Sequence, residues 1–437
     1  MNKGWQKKRL GDVCEIIKGR KPTLKTTASP GDLPYLVARV MRGTEHAEFA
    51  SVNDRNSIAV DSAETIIICD GSNSGEVFTG FRGILSSTMG KISKKTEIND
   101  DYLRAFLSST FEIFNGAKTG AAIPHLDKDA LYQLEFPLPP LSEQRRIVAT
   151  LSKAFDGIAT ATANANRNLL NSNEILQCGI RAAVSGELSK NWRDQQPELG
   201  ATAKHSKDIL NKRCKRSDAD GNFIEPKLPI CVSELKIPNS WTLVTPEHIS
   251  THIVDCPHST PKWTASGVCC LRTTNFKPGI LDLELVRYVS EETYKERIAR
   301  LEPKSGDILY SREGGILGIA CVFPEGLRAC LGQRMMQFRL DSDLVLPLYF
   351  TNVLNSQLIL SEVKRLTGGA AAPHLNIRDI RTFPIPLPPL AEQHEILKLL
   401  DVIFTSTKRL ASIYQRKLAS LDELKKSLLY QAFAGQL

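Results

Sequence analysis

The side chains that could do chemistry in this chain are hydrogen-bond donors and acceptors set in stretches of turn residues. An arginine fork matches the acceptor edge of guanine, Asn and Gln match adenine, and Lys, Ser and Thr suit phosphate oxygens. In the first third of the chain the candidates are Lys18, Arg20, Lys21, Arg39, Arg42, Asn73, Ser74, Arg82, Ser87, Lys118 and Thr119. Further on they are His258, Lys262, Arg272, Thr274, Asn275, Arg312, Gln333, Arg334 and Thr367. Arg39 and Arg272 each follow a strand-like apolar run and Arg312 sits in a Gly-rich loop, so these three lead the set. His125 and His374 occupy one place in two repeats. A shared place suits a structural turn or a phosphate contact.

Catalytic patterns are missing. There is no Gly-x-x-x-x-Gly-Lys-Ser/Thr phosphate loop, no Asn-Pro-Pro-aromatic string, and no acidic cluster arranged for metal-assisted phosphodiester cleavage. His248, His252, Cys256 and His258 have residue types that suit zinc. Pro246 and Pro257 bracket them, however, and Ile249, Ile253 and Val254 suit a strand leading into a loop. A surface loop with His258 available to a ligand is the expectation, with no metal and no cofactor in this chain. A nuclease or methyltransferase with its own site is the competing reading, and a pure protein–protein adaptor is a third.

The bulk numbers set bounds. With 437 residues the chain has room for two or three domains with large cores. Lys and Arg total 56 against 48 Asp and Glu, a net charge of +8 that permits a nucleic-acid partner without demanding one. Ten cysteines without a Cys-x-x-Cys pair point to a reduced, cytoplasmic protein. Met1 to Leu10 is basic without an apolar core, and no apolar run approaches 18 residues, so neither a secretory leader nor a membrane span is expected.

The elements that must position these donors come in two copies. Pro137-Leu138-Pro139-Pro140-Leu141-Ser142-Glu143-Gln144 is answered by Pro386-Leu387-Pro388-Pro389-Leu390-Ala391-Glu392-Gln393. Gly120 to Leu126 precedes the first and Gly369 to Leu375 the second, each reading Gly-Ala-Ala-x-Pro-His-Leu at one constant offset. Paired prolines hold the chain extended and forbid a helix through them. Ser142 is expected to cap the helix that follows, with Glu143 and Glu392 on the favourable side of the helix dipole.

Behind each start the apolar residues step four and three. The first series runs Ile147, Leu151, Ala154, Ile158, Ala161, Ala165 and later Ile175. The second runs Ile396, Leu400, Ile403, Thr407, Leu410, Tyr414, Leu421, Leu424 and Leu428. This is the seam of a coiled coil, and helices of roughly forty residues would span about 60 Å. The fold class expected is α+β: two globular mixed α/β domains separated by an antiparallel two-helix coiled coil, in a pseudo-twofold repeat.

In chain order, residues 1–141 form a first domain and 142–192 a central helix. Residues 193–238 form a polar linker with room for a short helix near Ser206 to Lys215. Residues 239–390 form a second domain and 391–437 a distal helix. Trp5 to Lys18, Tyr35 to Val40, Glu64 to Cys69 and Gly83 to Ile92 read as strands, and Asp101 to Ser109 as a helix. Trp241, Gly306 to Tyr310, Leu331 to Leu340 and Tyr349 to Ser356 answer them in the second half, with different loops.

The order of parts, the two Pro-Leu-Pro-Pro-Leu helix starts and the Ala183 to Trp192 stretch resemble the DNA-specificity subunit of type I restriction-modification enzymes. The resemblance implies two target-recognition domains on double-stranded DNA, each reading one half of a bipartite, asymmetric site, with the helices as a ruler. It implies no catalysis in this chain. It also implies two methyltransferase subunits using S-adenosylmethionine, and restriction/translocase subunits using ATP and Mg2+. A related methylation-only or phage-defence complex is the alternative setting. The polar linker is longer than the fold needs.

Overall fold

The computed structural model describes residues 4–116, 125–196, 235–368 and 373–437, with Lys204 and Lys207; of residues 112–116 it gives the backbone alone. The proposed short helix near Ser206 to Lys215 falls outside the described residues, apart from Lys207. Two compact units divide the chain: Met1–Arg167 with Tyr414–Leu437, and Asn168–Ile413.

Unit 1 runs β1 (Gln6–Arg9), α1 (Leu10–Val13), β2 (Cys14–Lys18), β3 (Asp32–Leu36), α2 (Ala38–Met41), β4 (Phe49–Ser51), β5 (Ala59–Val60), β6 (Ile66–Ile68), β7 (Val77–Phe78), β8 (Gly83–Leu85), β9 (Met89–Lys94), α3 (Asp100–Gly116), α4 (Lys128–Gln133) and β10 (Glu135–Leu138) into the long helix α5 (Leu141–Ser185). A short α6 (Lys190–Asp194) follows α5 and belongs to unit 2. One sheet has the order β2-β9-β6-β7 and a second β4-β3-β8-β5, where β3 and β8 are parallel. A third pairs β1 with β10.

Three stretches expected as single strands are broken, and of these Tyr35 to Val40 is strand only as far as Leu36 before the chain turns into α2. Trp5 to Lys18 is interrupted by α1, because Leu10 and Val13 turn together into the core and Asp12 accepts the Arg9 N–H at 3.2 Å. Gly83 to Ile92 is split at Ser86 to Thr88, which sends β8 into one sheet and β9 into another.

Unit 2 continues with β11 (Thr242–Val244), α7 (Pro246–Ile249), β12 (Ser250–Asp255), β13 (Trp263–Thr264), β14 (Val268–Leu271), β15 (Phe276–Lys277), β16 (Ile280–Leu281), β17 (Arg287–Val289), α8 (Glu291–Ile298), β18 (Ile308–Ser311), β19 (Ala320–Val322), β20 (Ala329–Leu331), β21 (Met335–Leu340), α9 (Pro347–Leu354), α10 (Gln357–Thr367), α11 (Ile377–Ile380) and β22 (Ile385–Leu387) into the long helix α12 (Leu390–Phe433). Its sheet β12-β21-β18-β19 repeats the order of β2-β9-β6-β7, and β11-β22 repeats β1-β10. The second sheet, β13-β17-β14-β20, keeps only the parallel pair β14–β20. Leu331 to Leu340, expected as one strand, is split at Gly332 to Arg334.

Each core takes in part of both long helices. In unit 1, Tyr102, Leu103, Phe106 and Phe136 pack with Ile147 and Leu151 of α5 and with Leu429 and Ala432 of α12. In unit 2, Phe338, Tyr349, Phe350 and Ile385 pack with Ile180 and Val184 of α5 and with Ile396 and Leu400 of α12. Each fully buried side chain of this size is worth about 1.5–3 kcal/mol.

The helix starts differ from expectation. Ser142 lies inside α5 rather than capping it. Pro140 and Pro389 each supply the first carbonyl, taken by the N–H groups of the third and fourth helix residues: Glu143 and Gln144, then Glu392 and Gln393. The buried glutamines are the true fasteners. Gln144 accepts the Asn99 N–H at 2.9 Å and donates to the Pro139 carbonyl at 2.8 Å. Gln393 accepts the Leu346 N–H at 2.8 Å and donates to the Leu344 and Pro388 carbonyls at 2.9 Å.

Glu392 is fully buried, taking Ser189 at 2.7 Å, Arg193 at 2.5 Å and the Trp241 indole at 2.9 Å. Its counterpart Glu143 pairs with Arg146 on the surface instead.

Of the residues expected on the helix seam, Ala165 and Thr407 are buried, but Ile175, Leu410 and Leu424 are 49 %, 37 % and 46 % exposed, and Ser172, outside the expected series, is buried. A straight helix drifts about 20° per heptad against a 3.5-residue repeat, so a fixed four-three count slides off the covered face.

Candidate nucleic-acid interface

The corresponding sheets of the two units end in the same hydrogen-bonded frame. In unit 1 the strand ends of β2 and β6 meet the start of β9. Gly19 N–H donates to the Met89 carbonyl at 2.8 Å, Cys69 N–H to Thr88 at 2.8 Å, and Leu126 N–H to Cys69 at 2.7 Å. Gly19 must be glycine, since a Cβ there would lie 2.2 Å from the Ser86 carbonyl oxygen. Asp70 pairs with His125 at 2.8 Å and Lys18 at 2.7 Å. Burial opposes the Asp70 charge, but those two partners outweigh it and hold the carboxyl below its ordinary range.

In unit 2, Cys256 N–H donates to Met335 at 3.2 Å, Arg312 N–H to Arg334 at 3.0 Å, and Leu375 N–H to Arg312 at 2.9 Å. Glu313 bridges His374 as Asp70 bridges His125. The shared histidines therefore sit in equivalent turns, beside equivalent acidic residues.

Of the candidates in unit 1, Lys18, Ser87 and His125 gather at this frame, and Arg20 and Lys21 follow it, exposed. Arg42 and Asn73 share Glu76, with Arg42 5.8 Å over the Phe78 ring. Arg39 is exposed on α2, 4.0 Å from Glu45. Ser74 is buried, its hydroxyl without a partner among the described residues. Arg82 stands at the other end of β8, 3.6 Å from Asp61. Lys118 and Thr119 lie outside the described residues.

In unit 2, His258, Arg312, Gln333 and Arg334 converge. Arg312 is buried and forks onto Asp255 at 2.8 and 2.9 Å, reaching Glu313 at 2.9 Å and the Leu375 carbonyl at 3.1 Å. It is a strut beneath the loop rather than an exposed donor. His258 leans on the same Asp255 at 2.9 Å, and its carbonyl takes the Gln333 amide.

Arg272, Thr274 and Asn275 lie on the turn after β14. Asn275 is buried and committed to the Arg272 N–H and the Asp282 carbonyl, so it shapes the turn. Thr274 and Lys262 are exposed. Thr367, expected on a loop, ends α10 with its hydroxyl on the Val363 carbonyl at 2.7 Å.

No three metal-ligating side chains gather among the described residues. His248 accepts the Thr245 N–H at 3.1 Å, and burial pulls its imidazole below the ordinary histidine value. Cys256 is buried against the Met335 N–H, and burial raises its thiol. The sequence reading missed Ser86 and Thr88, whose hydroxyls meet at 2.9 Å, and the anchoring acids Asp70, Asp255 and Glu313. Gly332, a breaker inside an apolar run, was the available signal for the turn.

The type I restriction modification DNA specificity domain matches this chain over residues 2–171 and 276–415, one stretch in each repeat. The chain belongs to that family. It is a specificity subunit and not a catalytic one.

Relatives of this specificity subunit include the type I restriction enzyme MjaVIII specificity subunit of Methanocaldococcus jannaschii, 26% identical over 99% of this chain and 93% of the relative. The EcoDI specificity subunit of Escherichia coli is 23% identical over 99% of this chain and 88% of its own. A solved structure described as showing complex assembly and conformational transition of the type I R-M system shares the fold at a TM-score of 0.67, with 18% identity over 100% of this chain and 99% of the other. The HsdS subunit from Thermoanaerobacter tengcongensis aligns at 0.50, with 17% identity over 100% and 98%.

The site chemistry of the specificity subunit is that of recognition. Burial pushes the Cys14 thiol up to about 11 and the Cys321 thiol up to about 12, so neither of these two is a nucleophile near neutral pH. No helix among the described residues is long and apolar enough to cross a membrane.

Proposed function

We propose that each unit reads one half of a bipartite, asymmetric site on double-stranded DNA, and that α5 and α12 pair as an antiparallel coiled coil that sets the unread gap in a pseudo-twofold arrangement. One observation carries this reading. The two units share a sheet order and a turn frame, differ in the side chains the frame presents, and each includes one end of both long helices.

Reading one site with two different heads needs a common scaffold with divergent tips. The reading edge takes in Lys18, Arg20, Lys21, Arg39, Arg42, Asn73 and Ser87 in the first domain, and His258, Lys262, Arg272, Thr274, Gln333 and Arg334 in the second. Ser74, Asn275 and Arg312 support it from inside. The subunit would dock two methyltransferase subunits that use S-adenosylmethionine, and restriction/translocase subunits that use ATP and Mg2+.

The gap is the testable part. Inserting one heptad into both long helices, after Leu151 and after Leu400, adds about 10 Å, or roughly three base pairs. Mapping methylated adenines in DNA exposed to the assembled complex should show both half-sites retained and the gap lengthened. An unchanged gap would reject the ruler.

A further inference from the structure

We propose that the turn Gly332-Gln333-Arg334 selects a guanine in the second half-site through Arg334, and that Ser86-Ser87-Thr88 is the matching turn of the first domain, with a different selection. This rests on the reading that the domains contact DNA, and deepens it to one residue.

The equivalence is set by hydrogen bonds rather than by sequence likeness. Ser86 N–H donates to the Leu36 carbonyl at 3.1 Å, and Gly332 N–H to the Leu271 carbonyl at 2.8 Å. The Thr88 carbonyl receives the Cys69 N–H, and the Arg334 carbonyl the Arg312 N–H. In both units the turn links a strand of the second sheet to the central strand of the first, β8 to β9 and β20 to β21. The two turns close on matching strand partners, while their side chains and the backbone at the third position differ, Arg334 being at positive φ and Thr88 not.

Their chemistry differs in kind. In the first domain Ser86 and Thr88 hydroxyls satisfy each other at 2.9 Å. In the second, Gln333 is tied to the His258 carbonyl, with Thr260 at 3.4 Å on its amide oxygen. That tie steadies the turn and leaves Arg334 as its exposed end.

Arg334 has φ 69°, the one positive value for a non-glycine among the described residues. A left-handed arginine is disfavoured where a glycine would serve, and such strain concentrates at functional positions. Gly314, itself at φ +90°, leaves room for the guanidinium: a Cβ there would lie 3.3 Å from Arg334 Nη1. No ion pair holds this side chain among the described residues, whereas Arg312 beneath it is fully engaged. A free fork on a braced turn suits the two acceptors of guanine.

The test uses the full chain assembled with its methyltransferase partners, acting on DNA with randomised half-sites. Wild type should prefer one guanine in the second half-site by roughly 5- to 150-fold over other bases. Arg334→Lys keeps the charge without the fork, and Arg334→Gly also relieves the backbone. Both should lose that preference at one position, leaving the first half-site and the gap unchanged. The thermal midpoint of Arg334→Gly should stay level or rise, which separates lost reading from lost folding. Exchanging Gln333-Arg334 for Ser-Gly should do the same; Gly332 is kept because a Cβ there would meet the Leu271 carbonyl oxygen at 2.5 Å.

An unchanged preference at every position would overturn the assignment. So would a uniform weakening on all sequences with a salt slope reduced by about one, the mark of a phosphate contact. Wild type with no preference for any bipartite sequence would overturn the DNA reading itself, and this proposal with it.

Discussion

Arg312 and Asp255 are 57 residues apart in sequence and join in a two-pronged ion pair beneath the second domain's loops. Arg312 is almost wholly buried, so its partners cannot be replaced by water. Removing one member of a buried pair leaves an uncompensated charge and costs about 3–5 kcal/mol. Arg312→Ala should lower the unfolding free energy of the second domain by that order, read by urea denaturation. Replacing both members by apolar residues of similar volume, Arg312→Met with Asp255→Leu, should cost less, because the buried Asp255 carboxylate is no longer stranded and only Glu313 and the Leu375 carbonyl lose Arg312. Equal losses in the two variants would mean the pair acts through packing alone. Glu392 shows the same economy: one carboxylate satisfies a serine, an arginine and an indole in the second unit.

The long helices begin where a proline pair stops an extended strand, and each start is fastened by one glutamine. Gln144 joins α5 to the start of α3 through the Asn99 N–H, while Gln393 joins α12 to the turn before α9. A buried donor or acceptor left without its partner costs about 1–3 kcal/mol. Gln144→Leu and Gln393→Leu should each destabilise their own unit by this order, with Gln393→Leu the larger because three backbone groups lose a partner. Hydrogen exchange resolved by peptide should show faster opening near Asn99 in the first variant and near Leu344 to Leu346 in the second. Unchanged exchange at those amides would remove the glutamines from the account of how the helices are set.

Two domains with one framework and separate tips should be exchangeable. Replacing residues 1–135 with the matching segment of another specificity subunit should change the half-site read by the first domain alone, with the second half-site and gap retained. Methylation mapping of the assembled complex checks this. If the modified sequence stays the same, the domains serve as adaptors and the bases are read elsewhere.

Much of this arrangement was legible in the chain. The doubled Pro-Leu-Pro-Pro-Leu string marks both helix starts, because proline geometry is local and holds in any context. The spacing of apolar residues likewise announced two long helices, and Trp241, Tyr102 and Tyr349 were found in the cores. Which polar groups face out was not legible. Arg312, Asn275 and Ser74 look like loop donors in sequence and are buried in the fold. The turns at Ser86 to Thr88 and Gly332 to Arg334 lie inside runs that read as continuous strands. Pattern reports what a segment prefers by itself. The direction of a side chain, and the point where a strand leaves one sheet for another, are decided by partners dozens of residues away, through hydrogen bonds and burial that exist only once the chain has closed on itself.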